Sequence, residues 1–216
     1  MATTEQASPS PAPRAPGFNP NFFSEYSVVI DRPCDEVFSI IGTAAGAERV
    51  TRLSDMCTRF EMLRQDEVSL ASGEALKDSA MRTQAAVVSG EGIASASSPA
   101  DGPTSQTKDI RPLPRQHFSM TETIPLLFNL IKHDVLIVGT LTWDASACVA
   151  LYESEADQGV LVWKLRTFEE AQGGKTRVSE RIEGKCSALL RPIVQRETTR
   201  GHQAHMNAYH TLFGTS

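Results

Sequence analysis

The chain has 216 residues, 40% of them hydrophobic and 22% charged, with a formal net charge of −5. That balance fits one globular domain and disfavours nucleic-acid binding, which needs a basic face. No apolar run approaches the ~20 residues of a membrane span, and no basic segment followed by an apolar stretch marks a secretion signal at the N-terminus.

Residues 1–20 are rich in Pro, Ala and Ser (Ser8-Pro9-Ser10-Pro11-Ala12-Pro13). They bury too little apolar surface to fold and read as a disordered tail before a single domain over 21–216. Residues 26–31 read as a strand. Pro33 then stands at a first helical position, with Asp35 and Glu36 where the helix dipole favours acids. Val37, Ile40 and Ile41 follow at helical spacing, and Gly42 ends this short helix. A second short helix covers 44–53. Strands are predicted at 58–64 and, more weakly, at 81–88. A low-complexity insertion at about 89–114 is either mobile or a lid. Residues 117–123 read as a strand, 125–132 as either a helical turn or a bulged continuation, and 135–143 as a strand.

Three further strands, at 147–153, 159–170 and 175–184, are separated by turn signals. These are Asp144-Ala145-Ser146, Asp157-Gln158-Gly159 and Gln172-Gly173-Gly174. The last is the strongest, because glycine supplies the positive φ of a tight hairpin. Consecutive hairpins make an antiparallel meander. A long helix over 188–213 follows, with Ser187 as N-cap and Pro192 in its first turns.

A strand, two short helices, antiparallel strands and a long terminal helix make the α+β helix-grip order. Here the chain resembles the SRPBCC superfamily, also called START-like or Bet v 1-like. The residues that carry the resemblance run from Tyr26 through Arg32-Pro33-Cys34-Asp35-Glu36-Val37-Phe38 at the start. At the end they are Arg181-Ile182-Glu183-Gly184 with the helix through His205-Met206 to Phe213, which look like uncharacterised fungal members. The resemblance implies a curved antiparallel sheet wrapped around the C-terminal helix, and a hydrophobic ligand cavity between them. It implies no single activity, since members include carriers, receptors and aromatic cyclases.

Alternation along the strands proposes the walls of that cavity. In 135–143 the larger apolar set is Val135, Ile137, Gly139, Leu141 and Trp143, so this set is expected inward. Tyr152 comes from a strand whose parity is ambiguous. In 159–170 the apolar set contains Trp163 and Leu165. Either tryptophan serves packing or offers a ligand a flat face with one N–H donor. On the terminal helix one stripe is apolar at first and then small and polar: Thr198, Gly201, His205 and Tyr209, with His202 beside it. A mid-helix glycine costs about 1 kcal/mol against alanine, and buried polar groups need partners. The stripe is either a helix over a void, or a close packing contact with a frayed polar end. His205 and Tyr209, at i and i+4, make the candidate catalytic pair, a proton donor and acceptor. Glu180 and Arg166 either orient a polar ligand end or are surface charges.

His202 and His205 lack a third ligand at a sensible spacing and there is no His-Glu-x-x-His, so no metal is expected. With no phosphate-cradling glycine loop or Gly-x-Ser-x-Gly elbow, no cofactor is expected either. Cys34, Cys57, Cys148 and Cys186 are scattered without Cys-x-x-Cys spacing, which points to free thiols in a reducing, cytoplasmic setting. Three functions stay open. One is binding or carriage of a hydrophobic small molecule (a lipid, sterol, polyketide or terpenoid). Another is a polyketide cyclase or dehydratase-like enzyme. The third is an interaction module with a filled core.

Overall fold

The computed structural model describes residues 15–87, 110–126 and 131–214. The fold is the helix grip that the element order predicts. β1 (Phe22–Ile30) runs into α1 (Cys34–Val37), which continues as a π-helical turn over Phe38–Gly42. A 3-10 turn then leads into α2 (Ala47–Thr51). The strands β2 (Cys57–Ala71), β3 (Ile110–Leu126), β4 (Ile131–Asp144), β5 (Val149–Ala156), β6 (Leu161–Ala171) and β7 (Lys175–Lys185) follow. α3 (Arg191–Asn207) and a 3-10 turn at Tyr209–Phe213 come last.

The described strands form one curved antiparallel sheet in the order β1-β7-β6-β5-β4-β3-β2. The meander accounts for every pairing except β1 with β7, which joins the two ends of the chain from Phe22 opposite Gly184 to Ile30 opposite Thr176. A methyl group at Gly184 would overlap the Phe22 ring, so this register depends on a glycine. β1 is an edge strand, and α3 covers its free rim. The Gln195 amide accepts from the Phe23 N–H at 3.0 Å and donates to the Phe23 carbonyl at 2.7 Å, standing in for a further strand.

Both faces of the sheet are covered over part of their area. Against the inner face, Val37, Ile41, Val50, Met206, Tyr209 and Leu212 from the helical parts meet Ile30, Leu141, Phe168 and Val178 from the strands. Against the outer face, Leu76 and Met81 from the segment after β2, with Ala15 and Phe18, meet Val68, Leu70, Leu113, Leu151, Trp163 and Leu165. The outer layer is pinned by side chains. Glu153 accepts from the backbone N–H groups of Met81 and Arg82, both at 2.8 Å, and the Trp163 indole donates to the Ser79 carbonyl at 3.0 Å.

Several elements differ from the sequence-based expectation. Residues 81–87 are turn and coil rather than a weak strand, because the Met81 and Arg82 amides bond to Glu153 instead of a neighbouring ladder. β2 and β3 are longer than expected. Pro125 and Leu126 continue β3, pairing with Lys132 and Ile131. The terminal α-helix begins three residues later than expected, after a turn in which the Ser187 carbonyl accepts from Leu190 and Arg191 at 3.1 Å. It tightens into the 3-10 turn after Asn207. The expected tail and insertion lie largely outside the described residues, at 1–14 and 88–109. Ala15 is buried, and its N–H donates to Glu183. No helix among the described residues is long and apolar enough to cross a membrane.

Candidate functional site

Between the inner face and α3 lies a cavity of about 320 Å³. Its size falls at the lower end of the range for small-molecule sites. Most of the wall is apolar. Phe60, Phe118 and Tyr152 stack in series, with ring centroids 5.7 and 5.1 Å apart. Met120, Val135, Ile137 and Leu141 line the sheet side, and Val162 and Ile182 the far strands. α3 closes the roof with Val194, Thr198, Gly201, His202 and His205, and α2 contributes Val50. At Gly201 an added Cβ would meet only the tip of Met56, at 3.4 Å, so the glycine leaves room under the roof.

One side of the wall is polar. From β6, Lys164 and Arg166 point inward on the same parity as Val162; from β3, Glu122 points inward on the same parity as Phe118 and Met120. Below them lies a buried charge cluster. Arg166 is engaged through each of its three nitrogens: it donates to Glu180, to the Ile41 carbonyl, and at 2.7 Å to the Tyr209 hydroxyl. Tyr209 in turn donates to Glu180. The other Glu180 oxygen has His202 Nε2 at 3.2 Å and Lys164 Nζ at 3.9 Å. His202 is held from its other side by the Ser24 hydroxyl at 2.8 Å. Burial alone would raise the Glu180 pKa, but Arg166, then Lys164 and the His202 hydrogen bond, hold it well below the usual range.

Burial shifts the titratable groups of the wall. Burial pushes the Glu122 carboxyl up, with Lys164 opposing. Burial lowers Lys164, Glu180 opposes that, and Arg166 adds to the lowering. Burial, reinforced by Lys164, brings His205 down to about 4, so its ring is neutral at physiological pH. His205 Nε2 lies 2.7 Å from the Val50 carbonyl, which can only accept. The ring proton therefore sits on Nε2, leaving Nδ1 with a free lone pair.

Of the residues expected at the site, Ile137, Leu141, Tyr152, Thr198, Gly201, His202 and His205 come together on the cavity wall. The others do not. Gly139 lies beneath Phe118, whose Cζ would be 2.5 Å from an added Cβ, so it seats that ring rather than a ligand. Trp143 packs beside the inner core without reaching the cavity. Trp163 and Leu165 face the opposite side of the sheet, in the outer core. The apolar alternation in β6 marked the filled side, and the cavity took the parity carrying the charges. Tyr209 lies under the cavity, with its hydroxyl spent on Arg166 and Glu180. The candidate pair His205 and Tyr209 is thus split, although their rings touch edge to face at 5.2 Å.

The sequence reading missed Glu122 and Lys164. Glu122 had a usable signal, as a carboxylate on the otherwise apolar parity of Phe118, Met120 and Ile124. Arg166 and Glu180 had another, since they pair directly across β6 and β7. Among the described residues no group of three or more His, Cys, Asp and Glu is arranged to hold a metal ion.

No protein-family model matches the chain, and no curated protein matches it. Solved structures do. An aromatase/cyclase, ZhuI, from a Streptomyces species aligns with a TM-score of 0.55 at 11% identity, over 88% of this chain and 92% of its own. The protein TTHA0849 from Thermus thermophilus aligns with a TM-score of 0.54 at 13% identity, over 88% and 94%. At such identities the likeness is one of fold, and it does not bear on the resemblance to fungal members. The chain shares its helix-grip fold with these two bacterial proteins.

Proposed function

We propose that the cavity receives a hydrophobic, carbonyl-bearing small molecule and acts on it in the manner of a cyclase or dehydratase. The observation that carries this reading is the wall itself: an apolar chamber into which Glu122, Lys164 and His205 project. Storage of an oily guest has no need of ionisable groups, which are costly to bury. Loss of water from a β-hydroxy ketone does need them. One group takes the proton from the carbon beside the carbonyl, and another gives a proton to the departing hydroxyl. The free Nδ1 of His205 suits the first task, and Glu122, whose pKa burial raises, suits the second. The cavity supplies orientation. The fold likeness to an aromatase/cyclase adds support at the level of fold alone.

Carriage without reaction is the second reading, favoured by the mainly apolar lining. The experiment has two arms. Uptake of the neutral fluorophore N-phenyl-1-naphthylamine tests the cavity. Conversion of a naphthyl-substituted β-hydroxy ketone to its enone, followed by ultraviolet absorbance, tests the chemistry. Wild-type protein should accelerate dehydration, and His205→Gln and Glu122→Gln should each lose about a hundredfold in rate while still binding the fluorophore. Fluorophore uptake without turnover would leave carriage as the function. No uptake would remove both readings.

A further inference from the structure

Lys164 is the cation of the cavity wall that the protein leaves incompletely paired. Each of the three nitrogens of Arg166 donates a hydrogen bond, to Glu180, Ile41 and Tyr209. Lys164 Nζ makes no hydrogen bond among the described residues. Its nearest carboxylate oxygen, on Glu180, is 3.9 Å away and beyond hydrogen-bonding range, and its other neighbour is the face of the Tyr152 ring, 4.6 Å from the centroid. A lysine ammonium carries three donors and no acceptor, and its side chain here is only 15% exposed.

The charges around it point the same way. Two cations, Lys164 and Arg166, share the fully buried carboxylate of Glu180, which Arg166 already holds. Of the two acids on the wall, Glu197 is already paired with Arg200 and Arg196 on its own helix, and burial raises the pKa of Glu122. The occupant of the cavity is therefore in the best position to supply both the missing acceptor and the missing negative charge.

We infer that the ligand of this cavity is an amphiphile whose polar end is an anionic oxygen, a carboxylate or an enolate, and that Lys164 is its anchor. This rests on the cavity being the binding site, as proposed above, and narrows the class of molecule bound there. A fatty or aromatic acid and the enolate form of a polyketone share this chemistry.

The test is displacement of N-phenyl-1-naphthylamine by dodecanoic acid and by its methyl ester at neutral pH. The wild-type protein should bind the acid at least about tenfold tighter than the ester, a ratio that one charge-assisted hydrogen bond supports. Lys164→Met should bring the ratio close to one, whereas Lys164→Arg should keep the preference. Equal displacement by acid and ester on wild-type protein, with the fluorophore bound, overturns the anchor and leaves the cavity reading intact. A preference that survives Lys164→Met also overturns it. If the fluorophore and both competitors fail to bind, the cavity reading fails and the anchor falls with it. The wild-type ratio needs no variant, so the test stands even if a substitution impairs folding.

Discussion

The two faces of this sheet have the same strands and opposite fates. The outer face is filled over its central part, with Trp163, Leu151 and Leu165 under Leu76 and Met81. The inner face keeps a void of about 320 Å³ under α3. Each side also has a buried arginine–carboxylate pair. On the outer side Arg115 grips Asp66 in a fork, at 2.8 and 2.9 Å, and ties down the carbonyls of Met81 and Gln84. On the inner side Arg166 and Glu180 sit next to the cavity, with Tyr209 and His202 closing the network. The outer pair fastens a covering segment, while the inner one underpins a wall whose remaining groups face a guest. Burial of a strand face thus says little about whether it is filled. What its polar groups bond to says more: the backbone of a covering segment on the outer side, and one another beside the cavity on the inner side.

The strongest way to break this contrast is to remove one member of the inner pair. Glu180→Ala should cost about 3–5 kcal/mol in urea unfolding, because Arg166 is left buried without its counter-charge. A cost below about 1 kcal/mol would show the inner network to be incidental. Trp163→Ala should cost a similar 3–5 kcal/mol for the lost ring. Fluorophore affinity should stay unchanged, since Trp163 lies across the sheet from the cavity. A large fall in affinity would mean that the two faces are not independent.

A smaller effect concerns pH. The Arg115 hydrogen bonds, followed by that of His117, hold Asp66 down at about 2, against burial. A folded-state pKa below the unfolded value gives stability that is present above the unfolded pKa and lost as pH falls through the folded one. Asp66 should therefore contribute on the order of 2 kcal/mol at neutral pH, lost between about pH 4 and pH 2. The unfolding midpoints of wild type and Asp66→Asn should converge across that window. Parallel curves would refute the assignment. The smallest expected effect is a gain. Gly201→Ala should add about 0.5–1 kcal/mol through helix propensity, because only the Met56 tip is near. A loss there would mean that the roof is tighter than it looks.

Much of the architecture was legible in the sequence. Gly173 and Gly174 both adopt positive φ at the β6–β7 turn, as a tight hairpin requires, and Pro33 stands where a helix starts. The roof was half legible: Thr198, Gly201 and His205 interrupt an apolar stripe, which fitted a void and a close packing contact alike. The walls were only half legible. The parity of β4 was readable, since its inner set carries the larger apolar side chains. The parity of β6 was not, because the outer face is also a core. Its cover, the Leu76–Asp78 turn and the coil after it, has no periodic apolar pattern. A strand buried on both sides places its most apolar set against whatever packs most tightly, and here that is not the cavity. Lys164 was passed over for this reason, and Arg166 and Glu180 stayed open between orienting a ligand and being surface charges until the register of β6 and β7 paired them.

The pairing of β1 with β7 has a consequence for biosynthesis. On the ribosome the first strand emerges well before its partner, with roughly 145 residues between Ile30 and Lys175. At translation speeds of about 5–20 residues per second, that interval is on the order of ten seconds. Throughout it the nascent polypeptide displays an unfinished, greasy half-pipe with Phe22 unmatched. Chaperone engagement during synthesis would fall in this window, before the closing staves arrive.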